Sequence, residues 1–260
     1  MTPFLKNFSL FLGPLLFFVL QASGAPEGMP PAAFAVLCAT LWMGIWWVTE
    51  VVPIAVTSLL PIVMFPMTGA MDIGTTTAAY GHKYVFLYLG GFILAIAIER
   101  WGLHKRIALT IISFIGSRIK FIILGFMLAT AFLSMWISNT ATSVMMLPIG
   151  MAIITVLKDN LSTPEHEQRL FGKARMLAIA YSASIGGIAT LIGTPPNLIF
   201  AGVVEEFYGI EIGFMDWMLI GLPVSLLLLF ICWIYLTRFA YRFGNAELPG
   251  GTALIKKLLK

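Results

Sequence analysis

The sequence predicts an all-α integral membrane protein with about six transmembrane helices, a re-entrant helical hairpin and one transmembrane helix unwound midway. Three observations lead there. Hydrophobic residues make up 59% of the chain and charged residues 11%, whereas a soluble domain carries about 25% charged residues. Too little polar surface is left to face water, so lipid is the solvent for much of the chain. Apolar runs of spanning length alternate with short basic loops. Two polar interruptions, Ser138-Asn139-Thr140 and Gly193-Thr194-Pro195-Pro196-Asn197, fall inside long apolar stretches.

Taken in order, the expected spans are Phe8–Ala22, Pro31–Val48, Pro53–Pro66, Val85–Ile98, Ile119–Leu157, Met176–Val204 and Trp217–Thr237. The first has features of a signal peptide, with Lys6 before it and small residues from Ala22 to Ala25 after it. Pro14 within it, and the membrane character of everything that follows, favour a retained anchor. Pro53 lacks a backbone N–H and is expected to break the chain between the second and third spans. Trp42, Trp46 and Trp47 are expected as interfacial anchors. Cys38 and Cys232 lie in apolar runs and read as small core residues rather than a disulfide.

Charge sets the expected orientation. With the N-terminus cytoplasmic, all but Lys83 of the 16 Lys and Arg residues collect in internal segments. Glu205, Glu206, Glu211 and Asp216 mark an external one without Lys or Arg. The net charge of +4 is thus an orientation signal and not the basic, aromatic-lined face of a nucleic-acid binder. Both flanks of Ile119–Leu157 are basic and therefore internal, yet the segment is too long for one span. Its polar midpoint lacks the charge, Pro or Gly of an external turn. Either two helices cross fully, or the segment enters and returns; the bare midpoint favours a re-entrant hairpin with Ser138-Asn139-Thr140 at its tip, its backbone covered by protein or lining an aqueous cavity. Met176–Val204 would extend about 43 Å as one helix, longer than the ~30 Å hydrocarbon core. Gly193 is expected to end one half-helix in a left-handed conformation, Thr194 to cap the next, and Pro195 to open it.

The chain is therefore expected to divide into N-terminal helices (1–118), a re-entrant hairpin (119–157), a broken helix with the span after it (158–245), and a short amphipathic tail on the inner surface (246–260). Interrupted helices expose backbone groups of opposite sign. A bare helix N-terminus suits an anion and a bare C-terminus a desolvated cation, the construction common in secondary transporters. Ser138, Asn139, Thr140, Thr194 and Asn197 offer hydroxyls and amides there without net charge. No carboxylate or histidine lies near either break, which favours Na⁺ over H⁺ coupling. His82, His104 and His166 are expected as solvated loop residues, not metal ligands. No nucleophile elbow or phosphate loop occurs, so no enzyme is expected.

The strings Ser134-Met-Trp-Ile-Ser138-Asn139-Thr140-Ala-Thr142 and Gly186-Gly187-Ile-Ala-Thr190-Leu-Ile-Gly193-Thr194-Pro195-Pro196-Asn197 resemble the divalent anion:sodium symporter family. The resemblance implies a Na⁺-coupled symporter of two inverted repeats, working as a homodimer by an elevator-like movement. Its N-terminal helices (1–118) would include the scaffold and dimerisation region. The implied substrates are succinate, malate, fumarate, citrate or sulfate. Ser134, Ser138, Asn139 and the backbone near Gly187 would hold Na⁺. Ser138, Asn139 and Thr140 would meet a substrate carboxylate, with Thr194, Pro195 and Asn197 shaping the adjoining half-helix. The family carries a second Ser-Asn-Thr hairpin and a second broken helix, so these 260 residues correspond to the first repeat, with a C-terminal half missing. An oxyanion carrier using H⁺ or exchange, and a membrane scaffold descended from a carrier, are the competing expectations.

Overall fold

In a computed structural model of the chain, residues 3–115, 118–159, 165–241 and 243 are described. All regular structure among them is helical. The chain forms two compact units, Met1–Val85 and Phe86–Lys260. Four helical stretches (Leu5–Ser23, Pro31–Thr49, Ile73–Arg100 and Phe214–Ala240) are long and apolar enough to cross a membrane.

The first unit is built on α1 (Pro3–Ser23) and α2 (Pro31–Thr49). Phe17, Phe34, Cys38, Ala39 and Met64 form its core. Two of the tryptophans expected at the interface hold these helices together. Trp42 packs on Phe17 with ring centroids 5.6 Å apart, and Trp46 Nε1 donates to Leu10 O at 3.2 Å. The expected break occurs: α2 ends on Glu50 in the left-handed region (φ 48°), and Pro53 precedes α3 (Ile54–Thr57). The third span is thereby split into α3 and α4 (Leu60–Thr68), with Gly69 closing the second piece at φ 69°. A helix the sequence reading passed over, α5 (Ile73–Tyr80), follows. Asp72 caps it by accepting from Thr75 N at 2.9 Å.

The helix α6 (Lys83–Arg100) leads into the second unit. There α7 (Leu103–Ile115), also not anticipated, buries Ala108, Leu109 and Ile112 in the core. His104, expected in solvent, is buried on this helix with Nδ1 3.5 Å from Ile98 O. The centre of the unit is α8 (Ile119–Ser134), which buries Ile119, Ile122, Ile123, Phe126, Met127 and Leu133. Around it lie α7, α9 (Asn139–Asp159), α10 (Glu165–Ile188) and α12 (Phe214–Ile234). The chain between α10 and α12 forms α11 (Pro195–Tyr208), and α12 runs on into a π-helical turn, Tyr235–Ala240. Trp233 Nε1 ties α12 to α8 through Lys120 O at 2.9 Å.

Three local expectations are corrected. The first half of the broken helix begins at Glu165, well before Met176, because Arg169 and Lys173 sit on an exposed face while Phe171, Ala174, Ala178 and Ile179 point inward. It ends at Ile188 rather than at Gly193. Gly193 has no left-handed backbone; it is required by close approach, since a Cβ there would lie 2.5 Å from Gly187 O. The tail 246–260 lies outside the described residues.

A graded series at Ile123, fully buried on α8, tests this core. Ile123→Val is expected to cost about 1 kcal/mol and Ile123→Ala about 2–5 kcal/mol, read as successive falls in the melting temperature of the purified protein. Equal melting temperatures for the two variants would contradict the packing.

Candidate ion and anion site at two helix breaks

Two interruptions meet within the second unit. Between α8 and α9 the helix is broken at residues 135–138; between α10 and α11 it is broken at residues 189–194. The C-termini of α8 and α10 and the N-termini of α9 and α11 therefore lie at the breaks. Neither 121–157 nor 176–204 contains a charged residue, so whatever binds here meets dipoles, not formal charge.

Glycine lets the pieces approach. A Cβ on Gly186 would overlap the backbone of Ala131, including its carbonyl, so α8 and α10 cross in direct backbone contact. A Cβ on Gly187 would come within 2.5 Å of Asn139 Oδ1. Gly187 thus admits the amide of the first residue of α9 to the end of α10.

The polar atoms converge around Ser134. This side chain is fully buried, and its Oγ lies 2.7 Å from both Asn139 Oδ1 and Ala183 O. A hydroxyl has one proton, so it cannot donate to both oxygens. With the proton on Ala183 O, Asn139 must present its amide NH₂ to Ser134 or share a cation with it. The backbone of Gly187 lies beside the same amide at its Cα. This is an uncharged group of hard oxygens at a helix C-terminus, a donor set suited to an alkali cation.

The second break is braced from within. Asn197 Nδ2 donates to Gly187 O at 2.9 Å and to Thr190 O at 2.8 Å, so its NH₂ group is committed to holding the loop. Thr190 Oγ1 donates to Met135 O at 2.5 Å, joining one break to the other. From α12, Trp217 Nε1 donates to Ile188 O at 2.8 Å and Ser225 Oγ to Ile185 O at 2.9 Å. Carbonyls that the end of α10 leaves without helical partners are thereby satisfied.

The two helix N-termini are not equivalent. Thr194 occupies the N-cap of α11 as expected, but its hydroxyl makes no capping bond. Pro195 and Pro196 have no N–H to offer, and Asn197 N–H is taken by Thr194 O at 3.2 Å. The start of α11 is thus poor in free donors. At the start of α9, Asn139 and Thr140 carry N–H groups, and Ser138 Oγ accepts only a long bond (3.4 Å) from Ala141 N. An anion is better served there.

Of the residues expected from sequence, Ser134, Asn139, Gly187 and Asn197 are brought together, and Ser138 lies beside them in the α8–α9 break. Thr140 and Pro195 are exposed and Thr194 half-buried, outside the bonded cluster. Sequence reading missed Thr190 as the link between breaks and the Ala183 carbonyl as a ligand candidate. Thr190 carries a signal in the polar string from Gly186 to Asn197; a backbone oxygen leaves no trace in a side-chain pattern.

Residues 44–256 match a family profile described as citrate transporter. Sodium-dependent dicarboxylate transporters SdcS of Staphylococcus aureus, from strains USA300 and NCTC 8325 / PS 47, are each 48% identical over 252 residues, covering 96% of this chain and 48% of theirs. The chain spans about half the length of these relatives.

Gly186→Ala is expected to force α8 and α10 apart and destabilise the protein by about 1–3 kcal/mol. Gly90→Ala, where a Cβ meets nothing within 4 Å, serves as the comparison in the same thermal melt. A Gly186→Ala protein as stable as Gly90→Ala would contradict the crossing. With motifs, broken-helix geometry and profile in agreement, the chain belongs to the family of citrate transporters and divalent anion:sodium symporters.

Proposed function

We propose that the chain is the first repeat of a secondary transporter, not an enzyme, that carries di- or tricarboxylate anions such as succinate, malate, fumarate or citrate in symport with Na⁺. The carrying observation is the Ser134–Asn139–Ala183 triangle beside Gly187, where three oxygens meet with one hydroxyl proton among them. In this reading Ser134, Ser138, Asn139 and Gly187 hold Na⁺. The substrate carboxylate sits at the start of α9 on Ser138, Asn139 and Thr140, while Thr194, Pro195 and Asn197 form the neighbouring wall. The names of the relatives, sodium-dependent dicarboxylate transporters, support the ion and the substrate class.

Asn139 accounts for coupling. Its amide has one acceptor oxygen and one donor nitrogen. Na⁺ on Oδ1 turns Nδ2 toward the anion, so each ligand fixes the side chain for the other, and the gain is reciprocal. The cation also offsets the cost of bringing a carboxylate into a region without formal charge.

The membrane placement belongs to the same proposal. Segment 119–157 is a re-entrant hairpin whose tip, with the break at 189–194, lies near mid-bilayer. The protein is a multi-pass component of the plasma membrane with a cytoplasmic N-terminus. Its working form is a homodimer that includes a C-terminal half supplying the rest of the cavity.

Reconstituted uptake of labelled succinate by the complete carrier is expected to require a Na⁺ gradient. Asn139→Ala should abolish it with expression intact. Asn139→Asp retains the oxygen but not the donor, so Na⁺ should still protect the protein against heat while succinate uptake is lost. Uptake driven by a pH gradient without Na⁺, or uptake of sulfate but not succinate, would overturn the proposed ion or substrate respectively.

A further inference from the structure

The charge count assigns Arg175 to a basic internal loop, but the side chain is fully buried on α10. Among the described residues no carboxylate pairs with it. Its Nη1 donates to the carbonyl of Gly150 on α9. Its guanidinium lies against two aromatic faces, with Cζ 5.8 Å from the ring centre of Phe126 and 5.9 Å from that of Phe171. The carbonyl dipole and the π-faces share the work of stabilising the charge.

Gly150 makes this contact possible. A Cβ there would lie 2.8 Å from Arg175 Nε and 2.9 Å from Cζ, so no larger residue leaves room for the guanidinium. Arginine and glycine act as a matched pair on the two helices that also carry Asn139 and Gly187. Along α9, Asn139 and Gly150 are about 16 Å apart, and along α10, Arg175 and Gly187 are about 18 Å apart. The two helices are thus held at two comparably spaced points, one at the candidate ion site and one at Arg175.

We propose that Arg175 is a positioning residue, which through Gly150 fixes α9 on α10 so that Asn139 and Gly187 close on Na⁺ together. This rests on the sodium-coupled reading above. With the distal contact in place, closing the ion site orders only the local side chains. Without it, α9 can pivot, and ion binding must also immobilise the helix.

The test is a thermal-melt cycle on the complete carrier in detergent, titrated with NaCl at constant ionic strength. In Na⁺-free buffer, Arg175→Gln and Gly150→Ala should each lower the melting temperature. The double variant should be no worse than the poorer single variant, because either change removes the same contact. The Na⁺ concentration for half-maximal protection should rise roughly tenfold in each, within the range of typical site-to-site couplings. Arg175→Lys offers one donor instead of a planar fork and should fall between wild type and Arg175→Gln. It also carries the comparison with Gly150→Ala should Arg175→Gln not be recoverable. Additive losses in Na⁺-free buffer would overturn the contact. A lowered melting temperature with an unchanged Na⁺ midpoint would overturn the positioning role. A wild type that gains no protection from Na⁺ would sink the sodium reading and with it the link to the ion, while the Na⁺-free cycle would still decide whether Arg175 holds α9 to α10.

Discussion

Helix ends carry unpaired backbone groups, and within a membrane protein those groups must find partners inside the chain or in a bound ligand. The second unit follows from that constraint. Two helices stop inside it, and the carbonyls at the end of α10 are met one by one: Ile185 by Ser225, Gly186 by the Ala189 N–H, Gly187 by Asn197 and Ile188 by Trp217. Thr190 reaches across to Met135 and makes the two breaks one structure. What this network leaves incomplete is the place around Ser134 and Asn139 where oxygens outnumber protons.

The contacts divide the labour between rigidity and binding. Gly186 and Gly193 permit backbone approach, and the Asn197 NH₂ group and the Thr190 hydroxyl are committed to the frame. In the proposed carrier, Asn139 would stand between the cation at one helix end and the anion at the other. A coupled carrier needs a group of this kind, because two solutes of opposite charge then lower each other's cost of entry. The prolines that open α11 withdraw donors from its N-terminus and leave α9 as the better anion end.

Much of this was legible in the sequence because each feature has a local signature. A charge-free polar string inside an apolar run marks a break, and Pro53 and Pro195 mark places where a helix cannot continue. What stayed hidden was tertiary. His104 looks like a loop residue until α7 folds onto α8, and Arg175 looks like a surface charge until Gly150 opens a place for it. From sequence, Gly193 looks like a left-handed terminator, whereas its small size serves close contact with Gly187. Sequence patterns report periodicity and backbone chemistry well; they do not report which carbonyl a buried side chain will find.

The most direct measurement is the depth and water access of the two breaks in a bilayer. Nitroxide labels at Thr140 and at Thr194 of the complete carrier, read by relaxation with lipid-soluble oxygen and a water-soluble paramagnet, give both quantities. If the breaks line a hydrated cavity at mid-depth, the labels lie near the bilayer centre and respond to the aqueous reagent. Labels at headgroup depth, or deep labels that respond only to oxygen, would contradict that placement.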